Sequence, residues 1–323
     1  MTACKICGNS HNNTLYHARE QMLGFNDEFE YLECSVCGCV QLLNIPANLS
    51  KYYPQDAYYS FHNDGEFNDS TYSLSNFLRR IKSEYLLFGK NKLAALPMMI
   101  GYIVPGYYHW LKKVKAGYDT SILDLGCGGG ELLFRLRRLG FKQLTGADPF
   151  IEEDIHASGV TIYKTDVFGL TGSFDFIMVN HAFEHMEDPL RVLKKLHELL
   201  KPKSYLMIRI PVVESYCWKH YGVYWAALDA PRHLYIHSAK SMQLLCSQAG
   251  FEIKEIEHDS GPFQFWGSEQ YKKGISLVAP NSYNKSKQKS IFSKKQIKEY
   301  KKRISVLNAE LMGGDGVFYL YKD

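Results

Sequence analysis

From residue 119 onward, apolar strand patterns alternate with amphipathic helix patterns. That alternation predicts an α/β fold, a mainly parallel sheet covered by helices on both faces. Two C-x-x-C pairs within the first 50 residues predict a small N-terminal metal-binding module ahead of it. A glycine run between the first strand and the first helix, in "SILDLGCGGGELLFRLRRLG", predicts where a ligand settles.

Each element has its own signal. "SILDLG" reads as a buried strand, "ELLFRLRRLG" as a helix closed by Gly140 in a left-handed cap, and "QLTGADP", "VTIYKTD" and "FDFIMVN" as further strands. Asp188 and Pro189 open the next helix, whose apolar stripe is Leu190, Leu193, Leu196 and Leu200. "SYLMIRIP" is a strand, "SAKSMQLLCSQAG" a helix closed by Gly250, and "FEIKEIEH" and "GVFYLYK" the closing strands. In the N-terminal module, "EFEYLEC" alternates as a half-buried strand does. Three parts follow: a module over 1–50, a Tyr-rich helical connecting and capping region over 51–118, and the ligand-binding domain over 119–323 with a basic insertion at about 264–312. The connecting region includes "YYPQDAYYS", turn-forming "HNDGEFNDS" and the helix "SLSNFLRRIKSEYLLFG" with the stripe Leu74, Phe77, Leu78, Ile81, Tyr85 and Phe88.

The net charge of +4 is local in origin, because Lys272 to Arg303 holds eleven Lys or Arg against one acid, Glu299. That segment suits a phosphate, an anionic membrane surface or plain solvation as a helix face. The opening of the chain lacks the charged start and apolar run of a signal peptide, so a cytoplasmic protein is expected, with its eight cysteines as thiols or metal ligands. Residues 93–111 contain no Asp, Glu, Lys or Arg over 19 positions, long enough for a bilayer. Pro97, Gly101, Pro105 and Gly106 favour short packed helices over peripheral membrane contact or a span.

The glycine loop selects a ligand class. Asp124, Gly126, Gly128 and Gly130 put bare backbone beside an acid at a strand's carboxyl end. Glu131 stands where a dinucleotide fingerprint needs its third glycine, and Asp124 repels phosphate but suits an ammonium or sulfonium. Asp148 and Asp166 end the next two strands, where they can accept hydrogen bonds from a ribose and an adenine amino group. On these residues, and on "LDLGCGGGELL", "GADP", "TDVF", "FDFIMVNHAFEHMEDPLRVLKKLHELLKP" and "SMQLLCSQAGFEI", the chain resembles the class I S-adenosylmethionine-dependent methyltransferases. The resemblance implies a Rossmann-like sheet in which Asp124, Gly126, Gly128 and Gly130 hold the methionyl part of S-adenosylmethionine, Asp148 the ribose, and Asp166 with Val167 the adenine. His181, just after the fourth strand, is expected to line the cofactor pocket. "KPKS" at 201–204 departs from the family's glycine pair and alters a turn.

Cys4, Cys7, Cys34 and Cys37, each pair followed by a glycine, are expected to complete a tetrahedral thiolate set for a structural zinc, with no open coordination position; the alternative is two separate redox pairs or loose thiols. A zinc ribbon ahead of such a domain resembles bacterial methyltransferases of sugar and surface-polysaccharide pathways, sugar C-methyltransferases among them. By that resemblance "PRHLYIHS" places His233 as the base, with Arg232 where the family has glutamate, and "FEHM" places His185 as helper beside Glu184. A histidine near its ordinary pKa suits proton removal. Trp218, Tyr221, Tyr224 and Trp225 are read as a stacking face for a sugar ring or as a packed lid. The expected partner is a small molecule, a sugar or sugar nucleotide. Two other readings stand beside it: an RNA methyltransferase, opposed by the acids Glu20, Asp27, Glu28, Glu30 and Glu33 of the module, and a non-catalytic zinc-ribbon binding protein.

Overall fold

The computed structural model describes residues 2–54 and 74–323; "HNDGEFNDS" and most of "YYPQDAYYS" lie outside the described residues. Along the chain run β1 (Thr14–Arg19), β2 (Glu28–Glu33), β3 (Val40–Leu42), α1 (Leu74–Phe88), α2 (Lys92–Ala95), α3 (Gly106–Lys113), β4 (Ser121–Leu125), α4 (Glu131–Leu139) and β5 (Gln143–Ala147). Then come β6 (Ile155–Ala157), β7 (Val160–Tyr163), β8 (Phe174–Asn180), α5 (Pro189–Leu199), β9 (Leu200–Pro211), α6 (Tyr216–Tyr221), β10 (Tyr235–Ile236), α7 (Ala239–Ala249), β11 (Glu252–His258), α8 (Phe263–Lys272), α9 (Lys294–Ala309) and β12 (Asp315–Lys322). The chain separates into two compact units: the first draws on 1–58, 181–193 and 208–319, the second on 59–180, 194–207 and 320–323.

In the second unit β4 lies between β5 and β8, parallel to both, and β7 extends the sheet beyond β5. Ile122, Leu123, Phe176 and Ile177 are fully buried, as strands covered on both faces require. α4 buries Leu133, Phe134, Leu136 and Leu139 and stops at Gly140, which adopts φ 116° as its C-cap. Three local expectations change. β7 stops at Tyr163, so Asp166 stands in the following turn instead of at a strand end, and a short β6 pairs antiparallel to it. β9 starts at Leu200 and runs through "KPKS", where a helix end and a turn were expected. α1 forms as predicted but buries Asn76, Ser83 and Leu87, leaving Leu74 and Phe77 exposed. The small Ser83 lets α1 approach α3 and α4 closely, a tertiary choice that periodicity does not contain. Residues 93–111 break into α2, a 3-10 turn and α3, and among the described residues no helix is long and apolar enough to cross a membrane.

The first unit is built on the antiparallel sheet β1-β2-β3-β10. β10 comes from a segment some 190 residues away in sequence from β3, and pairs Tyr235 with Gln41 and Ile236 with Val40. One hydrophobic core joins Tyr31, Val40 and Leu42 to Trp218, Trp225, Leu234, Ile236, Phe265, Ile304 and Leu307. The first 50 residues therefore share their core with the segment carrying His233. Trp218, Tyr221 and Trp225 are at most 6% exposed, so these rings pack inside instead of offering a stacking face; Tyr224 is exposed. α9 opens with a Ser293–Gln296 capping box and buries Ile297, Ile304 and Leu307, while most of its lysines face solvent.

Candidate functional site

The glycine loop of the second unit is shaped by backbone conformation. Gly126, Gly128 and Gly130 adopt φ of 76°, 53° and 81°, and a Cβ at Gly130 would lie 2.2 Å from Cδ1 of Ile162. The three N–H groups are engaged within the unit: Gly126 donates to Ala147 O, Gly128 to Oδ2 of Asp148 at 2.9 Å and Gly130 to Cys127 O. What the loop offers a ligand is close approach to bare backbone next to acids.

Those acids differ from one another. Asp124 is 4% exposed and its carboxylate has no hydrogen-bond donor among the described residues; burial, then the neighbouring charge of Asp148, pushes its pKa up to about 7. Asp148 is buried and accepts from Gly128 N and from Phe150 N, each at 2.9 Å. Asp166 is exposed and caps the turn after β7, its Oδ1 accepting from Phe168 N and Gly169 N, with Val167 buried beside it. A buried carboxylate left without a donor, next to a second acid and a loop no side chain can enter, fits a compact cationic ligand. That is the chemistry of the sulfonium and ammonium groups of S-adenosylmethionine.

In the first unit Cys4 Sγ lies 3.6 Å from Cys37 Sγ, and Cys7 Sγ 3.5 Å from Cys34 Sγ. Four thiolates around a tetrahedral zinc, at about 2.3 Å from the ion, stand roughly 3.8 Å apart, so the set is compatible with that ion. Ile6 N and Cys37 N point at Cys4 and Cys34 Sγ respectively, as the turn of a C-x-x-C pair dictates.

The same unit assembles Glu184, His185 and His233, each offering one ligand atom within 4.8 Å of the others. His233 Nδ1 meets Ala227 O at 2.8 Å and His185 Nδ1 meets Arg232 O at 2.8 Å. A carbonyl only accepts, so both rings carry their proton on Nδ1 and keep the Nε2 lone pair. His233 Nε2 stands 3.8 Å from Glu184 Oε1, and the two rings meet edge to face at 4.7 Å. His233 is not near its ordinary pKa: burial, then His185, pulls it down to about 4, against the opposing charges of Glu184 and Asp229. It is unprotonated at neutral pH, which removes the expectation of a half-titrated base. For Glu184, burial is outweighed by the hydrogen bond from His181 and the imidazoles around it, which hold it at about 2.

His181, at φ 51°, is spent between neighbours: Nδ1 lies 3.3 Å from Glu184 Oε1, and Nε2 accepts from Arg209. Arg209 is fixed in turn by Asp259 and Asp315. Sequence reasoning passed over this relay, although an arginine between Ile208 and Ile210 in an apolar strand was a readable signal. It also missed what holds Arg232. That guanidinium is 0% exposed and bridges Asp229, the backbone of Tyr52 and Glu20 of the N-terminal sheet, also 0% exposed. Tyr31 donates its hydroxyl to His233 O at 2.9 Å, and Ser238 donates to Cys37 O. The cysteine module thus grips the residues on both sides of His233.

Comparison with known proteins identifies the family. Residues 79–256, more than half of the chain, match the family described as methyltransferase domain. The ubiquinone biosynthesis O-methyltransferase of Haemophilus ducreyi is 29% identical over 167 residues, covering 45% of this chain and 70% of that protein. Its counterpart in Colwellia psychrerythraea is 34% identical over 97 residues, 26% of this chain and 39% of that protein. Human EEF1A lysine methyltransferase 2 is 30% identical over 121 residues, 31% of this chain and 50% of that protein.

Proposed function

The chain belongs to the class I S-adenosylmethionine-dependent methyltransferases, and from that premise we propose that it methylates a small-molecule acceptor, a sugar or sugar nucleotide of a surface-polysaccharide pathway. The observation that carries the donor reading is Asp124: a buried carboxylate without a donor beside Asp148 and the loop of Gly126, Gly128 and Gly130. When bound, S-adenosylmethionine supplies a methyl group on a positively charged sulfur. Asp124 balances that charge, Asp148 stands beside the loop to receive the ribose hydroxyls, and the side of Val167 supports the adenine, with Asp166 offering its second oxygen. Transfer is an in-line displacement, so the remaining task of the chain is to align the acceptor and draw off its proton. We assign that task to Glu184, His185 and His233.

The sugar class rests on the resemblance of the cysteine module and "PRHLYIHS" to sugar-pathway enzymes, and the exposed lysines over 272–303 support attraction of an anionic nucleotide sugar. Structural zinc held by Cys4, Cys7, Cys34 and Cys37 would fix the sheet on which His233 depends, and thiolate ligation suits the reducing cytoplasm. A second reading takes a phenolic acceptor from the ubiquinone-biosynthesis relatives, favoured by the 167-residue match. Incubating the protein with methyl-labelled S-adenosylmethionine and parallel panels of nucleotide sugars and catechol-type phenols, read by mass spectrometry, separates the two. Label in a nucleotide sugar supports the first; label confined to the phenols overturns it.

A further inference from the structure

We propose that Glu184, His185 and His233 form a site for a divalent first-row transition-metal cation, distinct from the four-cysteine set. Three observations carry it. First, the three side chains already converge, with a ligand atom from each within 4.8 Å of the others, and all belong to the first unit. Two imidazoles and one carboxylate are the donor set that Mn²⁺, Fe²⁺, Co²⁺ and Zn²⁺ accept while keeping positions open for exchangeable ligands.

Second, the outer partners are those that ligating groups need. A ligating histidine holds its second nitrogen on a carbonyl or carboxylate, which fixes the tautomer and aims the lone pair at the ion. His185 does this through Arg232 O and His233 through Ala227 O. Glu184 Oε1 is steadied by His181, which Arg209 anchors to Asp259 and Asp315.

Third, Glu184 is 0% exposed, and its other oxygen, Oε2, has no hydrogen-bond partner among the described residues. Native proteins seldom leave a buried carboxylate oxygen bare, because nothing replaces the water it gave up. A cation held among the converging ligand atoms of Glu184, His185 and His233 would supply the buried carboxylate with the counter-charge it lacks.

The binding claim stands independently of methyl transfer; only its consequence rests on the proposed function. There, the three residues would draw off the proton through the cation they hold: a hydroxyl of the acceptor at an open position would be more acidic, and its proton would pass to water as the methyl group moves from sulfur to that oxygen. The test is a Co²⁺ titration of the full-length protein, followed by visible absorption and calorimetry. Cobalt on cysteines announces itself by intense thiolate charge-transfer bands, whereas a site of two imidazoles and a carboxylate gives only weak ligand-field bands. We expect one equivalent of Co²⁺ beyond the cysteine set, with the weak spectrum, and at least tenfold weaker binding in Glu184→Gln and in His233→Ala while the cysteine bands are unchanged. A wild-type protein that takes no cobalt beyond the cysteine set overturns the site whether or not the variants fold, and so does a second equivalent that persists in folded variants. S-adenosylmethionine affinity, measured on the same preparations, reports separately on the donor reading.

Discussion

Asp124 and Glu184 are both buried carboxylates, and the protein treats them in opposite ways. Asp124, next to another acid and without a donor, is pushed up to about 7; Glu184, ringed by His181, His185 and His233, is held down at about 2. Burial is common to both, so the neighbours decide the outcome. Asp124 has no counter-charge among the described residues, and in the proposed function a cationic ligand supplies it. Glu184 has been given hydrogen-bond and imidazole support in advance, at one oxygen only. A third buried carboxylate, Glu20, is treated differently again, paired with the permanent charge of Arg232.

The largest expected effect tests whether the Glu184 group serves the acceptor alone. Glu184→Gln or His233→Ala should lower turnover by roughly a hundredfold or more while leaving S-adenosylmethionine affinity within about twofold, in steady-state kinetics paired with calorimetry. Equal losses in both would erase the contrast with Asp124. Next in size, Glu20→Gln removes one partner of a buried guanidinium and should cost about 2 kcal/mol in urea denaturation, moderated by Asp229. A change near zero would show that Asp229 alone satisfies Arg232. Acid should destabilise the first unit before the second. Burial lowers both His233 and His237 to about 4, so the stability they contribute is complete above about pH 6.5 and is lost as pH falls towards about 4. Thermal melts across that window, repeated on His237→Gln, should show the loss partly relieved in the variant. Smallest of all, Tyr31→Phe deletes the hydroxyl that donates to His233 O and should cost about 1 kcal/mol, with a measurable fall in turnover.

How far the sequence reveals each site follows from the range of its contacts. The glycine loop, Asp148 and the strands around them lie within some 60 consecutive residues, and local patterns were enough to place them. Even there, Asp166 was misplaced by the early end of β7, and its turn-capping role is visible in hindsight in the aspartate that opens "DVFG". The four cysteines announce themselves by spacing. Glu184 and His185 could be singled out from "FEHM", but the relay through Arg209 to Asp259 and Asp315 spans up to 106 residues, and the Glu20–Arg232 pair spans 212. No periodicity encodes such pairings. The stripe on α1 failed for a related reason: Leu74 and Phe77 satisfy helical spacing, yet neighbouring helices select the face with Ser83.

The proposed donor site turns on Asp124, the carboxylate assigned to balance the positive sulfur of the donor. Calorimetric titration with S-adenosylmethionine from about pH 6 to about pH 8, on wild-type protein and Asp124→Asn, tests this directly. Because protons compete with the ligand for a carboxylate titrating at about 7, wild-type affinity should rise with pH and level off, while the asparagine variant should bind weakly and without that slope. Wild-type affinity that is flat across the range, or an asparagine variant that binds as tightly, would contradict it.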